Sequence, residues 1–228
     1  MRFQRFARVV LMLIARLVLR LEVSGLERVP RTGRLIIMMN HLSWLDPILT
    51  TILIPRDIAI MSKIENFQIP VAGLLVKWFG SFPVRRGEAD LSAVRQSVAV
   101  LEQDRALLMA PEGTRSRSRT LQQAHAGMAL VATRANAPIL PVALSGVEHF
   151  NHNIKRLRRT PVRVAIGEPF LMIPKPGQPP RAQHEQMTQE AMYRLAALLP
   201  PAYRGVYSDL SRATTEVTRP YVPSEQVS

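Results

Sequence analysis

The chain has 228 residues, enough to bury a large core in one domain. Hydrophobic residues make up 47% and charged residues 21%, which excludes an intrinsically disordered chain. The net charge of +13 calls for an anionic partner, and the absence of cysteine excludes disulfides, thiolate nucleophiles and cysteine-bound metals.

Residues 1–21 hold five arginines and no acid. On a helix, Arg2, Arg5, Arg8, Arg16 and Arg20 fall within one arc of about 120°, mostly opposite Val10, Leu11, Ile14, Leu17, Val18 and Leu21. Arg8 and Arg16 bracket only seven apolar residues, far fewer than the ~20 that span a bilayer. The pattern predicts a basic amphipathic helix over 1–24 lying in an anionic membrane interface. A helix packed on the protein's own core fits it too. A mitochondrial presequence fits less well, because serine is missing, and a cleaved signal peptide fits poorly.

From Arg34 onward, apolar runs alternate with helical stretches. Strands are expected at Leu35–Met39, 58–61, 81–84, Ala106–Met109, 139–144 and 162–166. Helices are expected at 47–54, 70–79, 91–103 and 124–135. The alternation predicts a single α/β domain over 25–200, with a central, largely parallel sheet flanked by helices. Residues 171–183 contain four prolines and read as a loop. A last helix is expected at 183–199, with Met187, Ala191, Leu195 and Leu198 on one stripe. Residues 201–228 read as a loosely packed tail.

The first apolar run stops at Asn40, His41 and Ser43, with Asp46 five residues after the histidine. Five positions on one helix are about 140° apart, so a turn is needed to bring the two together. Asp46-Pro47 supplies it, with Asp46 as helix cap and Pro47 as first helical residue. A carboxylate holding one ring nitrogen leaves the other free to take a proton. An ordinary loop histidine beside a capping aspartate is the plainer alternative.

Other strand ends carry cations. Lys63 follows the second strand, Arg85 and Arg86 the third. After the fourth comes Ala110-Pro-Glu-Gly-Thr-Arg-Ser116. Gly113 lets backbone approach a ligand, Thr114 and Ser116 offer hydroxyls, and Arg115 offers a planar fork for phosphate. Glu112 would repel phosphate, so it is expected to hold an arginine or accept from a substrate hydroxyl. In a parallel sheet these ends share one rim. A base ringed by cations suits a substrate bearing a hydroxyl and a phosphate. The basic stretch 155–163 reads either as a solvated face or as an anion or membrane contact.

In order along the chain, NHLSWLD, GSFPVRRG, PEGTRS and APILPV resemble the four motifs of the 1-acylglycerol-3-phosphate acyltransferase family. The likeness runs from about residue 24 to 170, and Lys63, Pro70 and Gly73 also sit where that family has them. It departs at Arg85, where an acidic residue is usual, and at Ala124 and His125, where phenylalanine and lysine are usual. The resemblance implies transfer of an acyl group from a thioester, acyl-CoA or acyl-carrier protein, to a lysophospholipid hydroxyl. It implies His41 as base and Asp46 as its orienter. Lys63, Arg86, Glu112, Gly113, Thr114 and Arg115 would seat the acceptor. No metal and no other cofactor is expected. Trp44, Trp78 and Phe79 would line an acyl groove or simply fill the core.

A peripheral or monotopic place at the cytoplasmic face of the membrane is the matching location. Three rivals stand beside this reading. A nucleic-acid-binding protein suits the charge, but no recognisable motif supports that partner. A metal-dependent hydrolase would use His41 and Asp46, though His149 and His152 are the only close histidine pair. A non-catalytic membrane-surface protein is the third.

Overall fold

The computed structural model describes residues 2–63, 82–84 and 91–223. Helix α1 (Arg2–Val18) leads into β1 (Leu19–Ser24). Next come β2 (Leu35–Met39), α2 (Asp46–Leu53), β3 (Ile58–Lys63) and β4 (Phe82–Val84). Then follow α3 (Leu91–Glu102), β5 (Ala106–Met109), α4 (Gly127–Ala135) and β6 (Ile139–Ser145). A short α5 (Phe150–Ile154), β7 (Thr160–Ile166), β8 (Phe170–Met172), α6 (Pro180–Leu198) and β9 (Thr218–Pro220) complete the described elements.

The strands form one sheet in the order β1-β7-β6-β2-β5-β3-β4, with β8 beside β6 and β9 beside β8. From β6 to β4 every pairing is parallel. β7 runs antiparallel to β6, and β1 runs parallel to β7. β2, β5 and β6 are buried along their whole length. A parallel strand covered on both faces must be apolar throughout, which is why their sequences show no polar alternation.

Successive residues point to opposite faces. Ile36 and Met38 join a layer with Leu107, Met128 and Leu195, under α3, α4 and α6. Leu35, Ile37 and Met39 join the opposite layer with Leu19, Leu49 and Ile52, under α1 and α2. The sheet is thus covered by helices on both faces, and ligand chemistry is left to the ends of its strands.

Several expectations need correction. The N-terminal helix stops at Val18, and residues 19–24 form an edge strand in parallel register with β7. The tail is packed, not loose, as far as β9. Val217 and Tyr207 are buried. The buried Glu190 of α6 accepts the backbone N–H of Glu216 (2.9 Å) and of Val217 (3.1 Å), and the hydroxyls of Thr214 (2.8 Å) and Thr218 (3.1 Å). The last helix begins at Pro180, three residues earlier than expected. The helix expected at 70–79 lies outside the described residues, as do Trp78, Phe79, Arg85 and Arg86.

Candidate active site

His41 stands two residues beyond the end of β2, and Asp46 is the first residue of α2. The turn between them reverses the chain. The His41 Nδ1 and Asp46 Oδ2 atoms are 3.0 Å apart. Asp46 is 0% exposed, and the same oxygen accepts the backbone N–H of Leu42 and of Ser43, each at 2.6 Å. The aspartate therefore does not cap its own helix, as its position had suggested; the residue before the helix is Leu45. Its carboxylate shapes the turn and fixes the ring in one act. With Nδ1 facing a carboxylate, the neutral imidazole carries its proton there, and Nε2 is the basic nitrogen. The His41 side chain is 14% exposed, and Nε2 has no hydrogen bond among the described residues.

The backbone of His41 is held from the next strand. Its N–H donates to Glu112 Oε1 (3.1 Å), and its carbonyl accepts from the Ser116 N–H (2.8 Å). Glu112 Oε2 accepts the N–H of Gln122 (3.0 Å). Glu112 is 2% exposed and both of its oxygens serve backbone amides. This corrects the expectation that it contacts substrate or an arginine. It ties the loop after β5 to the turn that carries His41. Burial pushes its carboxyl above the ordinary range, against the pull of the two N–H donors.

Gly113 has φ +68°, the left-handed conformation that suits glycine, and its N–H returns to Ala110 O at 3.0 Å. That sharp reversal sends Thr114 and Arg115 out to solvent. The Arg115 guanidinium makes no ion pair among the described residues. The neck of the loop is closed by the His125 N–H on Pro111 O (2.9 Å).

β2, β5, β3 and β4 are consecutive and parallel, so the ends carrying His41, Glu112, Lys63 and Val84 share one rim. Lys63 is in register with Val84. The structure brings His41, Asp46 and the loop that follows β5 together. Arg86 lies outside the described residues. Trp44, within the His41–Asp46 turn, is 48% exposed rather than core, and meets the Phe150 ring edge-on at 6.2 Å.

Three supports were missed. Asn40 extends the β2–β6 pairing by side chain, donating to Leu144 O and accepting from Leu144 N–H, each at 2.8 Å. Its place in the polar trio was the available signal. Ser116 holds the His41 carbonyl through its backbone. The tail supports the far limb of the loop. Leu121 N–H donates to Tyr203 O (2.9 Å), Val206 N–H to Leu121 O (3.3 Å), and Ala124 N–H to the Tyr207 hydroxyl (3.3 Å). The Tyr203 hydroxyl donates to Glu148 at 2.6 Å, and burial, then that bond, push it up to about 12. No local pattern in the sequence announces these long-range bonds.

Comparison with known proteins identifies the family. A family model described as acyltransferase matches residues 20–145. A lyso-ornithine lipid O-acyltransferase of Pseudomonas aeruginosa is 35% identical over 134 residues, which is 58% of this chain and 50% of that protein. A 1-acyl-sn-glycerol-3-phosphate acyltransferase of Bacillus subtilis is 26% identical over 179 residues, 78% of this chain and 87% of that one. The chain spans about half the length of several relatives, the Pseudomonas protein among them. The crystal structure of the 1-acyl-sn-glycerophosphate acyltransferase of Thermotoga maritima has the same fold. Its TM-score is 0.61 at 23% identity, over 87% of this chain and 82% of that one. Because the matched segment runs from β1 to the last residue of β6, more than half of the chain, the protein belongs to the acyltransferase family.

Proposed function

We propose that the protein transfers a fatty acyl group from a thioester to the free hydroxyl of 1-acylglycerol-3-phosphate, giving phosphatidate for phospholipid synthesis. Acyl-CoA and acyl-carrier protein are the candidate donors. The observation that carries this reading is the unpartnered Nε2 of His41, steadied through Nδ1 by buried Asp46, on a rim shared with Arg115. The acceptor hydroxyl loses its proton to Nε2 as its oxygen attacks the thioester carbonyl carbon. The carbon–sulfur bond then breaks, and the imidazolium returns the proton to the departing sulfur. Asp46 stabilises the imidazolium in between. The acceptor is itself the nucleophile, so no acyl-enzyme is needed. Lys63, Arg86, Gly113, Thr114 and Arg115 would seat the glycerol phosphate.

The membrane supplies both acceptor and product. No helix among the described residues is long and apolar enough to cross a membrane. Helix α1 packs on the domain through Ala15 and, just beyond it, Leu19, yet turns Val9, Val10, Leu13, Ile14 and Leu17 to solvent. That exposed stripe supports a peripheral or monotopic place at the membrane surface, and the cytoplasmic face is the side we propose. A lyso-ornithine lipid is the second acceptor to consider, because the relative that bears that name is 35% identical over its match.

Mass-spectrometric product analysis with a panel of lyso-lipids and both thioester donors tests the proposal. Phosphatidate is the expected main product. Exclusive acylation of another lyso-lipid would move the acceptor assignment, and thioester loss without any acylated lipid would overturn it.

A further inference from the structure

The turn that follows α5 holds an apolar side chain where the chain itself gives it nothing to do. Leu157 is 95% exposed and sits at φ +53°. The turn is firmly built. Arg156 N–H and Arg158 N–H both donate to Asn153 O (2.9 and 3.0 Å), and Leu157 N–H donates to Ile154 O (3.1 Å). Asn153 Nδ2 closes it on Thr160 Oγ1 at 3.3 Å. A left-handed residue just past a helix end is ordinarily glycine or asparagine, because a Cβ there crowds the backbone. A leucine here has the steric cost without any burial inside the molecule.

Its surroundings name the occupant. No acid occurs between Glu148 and Glu168. The side chains of Lys155, Arg156 and Arg158 are exposed and meet no carboxylate among the described residues. Arg159 donates to the carbonyls of Arg16 and Leu19, each at 2.7 Å, which fastens the turn beside the C-terminal end of α1. Helix α5 begins at Phe150, whose ring touches exposed Trp44 of the catalytic turn. One apolar tip in a ring of uncompensated cations is complementary to an anionic bilayer, with phosphates outside and acyl chains beneath.

We infer that residues 155–158 form a second membrane contact, which inserts Leu157 below the lipid phosphates while Lys155, Arg156 and Arg158 engage them. The inference rests on the membrane-surface reading of α1. Two contacts fix an orientation where one helix leaves rotation free. Through Phe150 and Trp44, the second contact turns the His41 rim toward the lipid.

Leu157→Gly provides the test, because it relieves the backbone rather than damaging it. Sedimentation with vesicles of equal parts phosphatidylglycerol and phosphatidylcholine should show partition lowered about tenfold. Melting temperature should be unchanged or higher, and turnover of detergent-dispersed substrate unchanged. Leu17→Asp on the α1 stripe is the parallel arm. Normal vesicle binding of Leu157→Gly beside weakened binding of Leu17→Asp would overturn the second contact and leave the interface helix standing. Normal binding of both would remove both. A wild-type dimer that Leu157→Gly dissolves would assign the leucine to a second copy and overturn the membrane contact.

Discussion

Asp46 and Glu112 show how two buried carboxylates divide one task. Asp46 holds the ring, and Glu112 holds the backbone from which the ring projects. Asp46→Ala would leave the Leu42 and Ser43 amides without their acceptor, at about 1–3 kcal/mol each. His41→Ala abandons no buried amide. Urea denaturation should therefore find Asp46→Ala the less stable by about 2 kcal/mol or more; equal stabilities would mean that the turn does not depend on the carboxylate. Glu112 predicts a pH dependence of definite sign. Its carboxyl is raised above the ordinary 4.5 in the folded protein, chiefly by burial. The stability that follows from this is fully present below 4.5 and is lost as pH climbs through the raised value. Glutamine does not titrate, so the stability advantage of wild type over Glu112→Gln should shrink as pH rises through that window. An advantage that grows with pH would show the carboxylate to be better paired than the structure has it. The histidine–aspartate pair was legible in the sequence because both partners are five residues apart. The task of Glu112 was not, because its partners, His41 and Gln122, are 71 and 10 residues away.

At the scale of elements, the strands that carry the site were the most legible part. Leu35–Met39 and Ala106–Met109 are uninterrupted apolar runs because helices cover both their faces. β1 was hidden, although Leu19, Leu21 and Val23 alternate with polar residues, because the arginine spacing upstream continues a helical pattern into it. The tail was hidden for another reason. Its order comes from Glu190 and from the 120–124 limb, not from local propensity. That limb is gripped tightly. Gly205 has φ +51°, and a Cβ there would lie 2.1 Å from Leu121 O. Gly205→Ala should displace the limb, loosen the Gln122–Glu112–His41 chain and lower turnover about tenfold to a hundredfold. Tyr207→Phe removes only the acceptor for Ala124 N–H, and should cost about 1 kcal/mol with a smaller loss of rate. Should Gly205→Ala lose stability but keep its turnover, the tail would be packing alone.

For the whole molecule, charge and topology converge. Among the described residues, β6 to β4 run in one direction, so one rim of the sheet gathers the histidine, the glutamate-held loop and the backbone end of β3. The parallel strands β6, β2, β5, β3 and β4 put their C-terminal ends on that one rim. The net charge of +13 was legible at once as a demand for an anionic partner. Which anion it meets was not, because composition does not tell a solvated arginine from one aimed at a phosphate. The sheet order and the Ser116 N–H on the His41 carbonyl together put Arg115 on the histidine's side.

The most direct measurement is the rate of phosphatidate formation from lysophosphatidate and an acyl thioester by His41→Ala, whose melting temperature certifies its fold. The general base predicts a fall of about 10²–10⁴-fold. A folded variant that turns over at close to the wild-type rate would contradict the account.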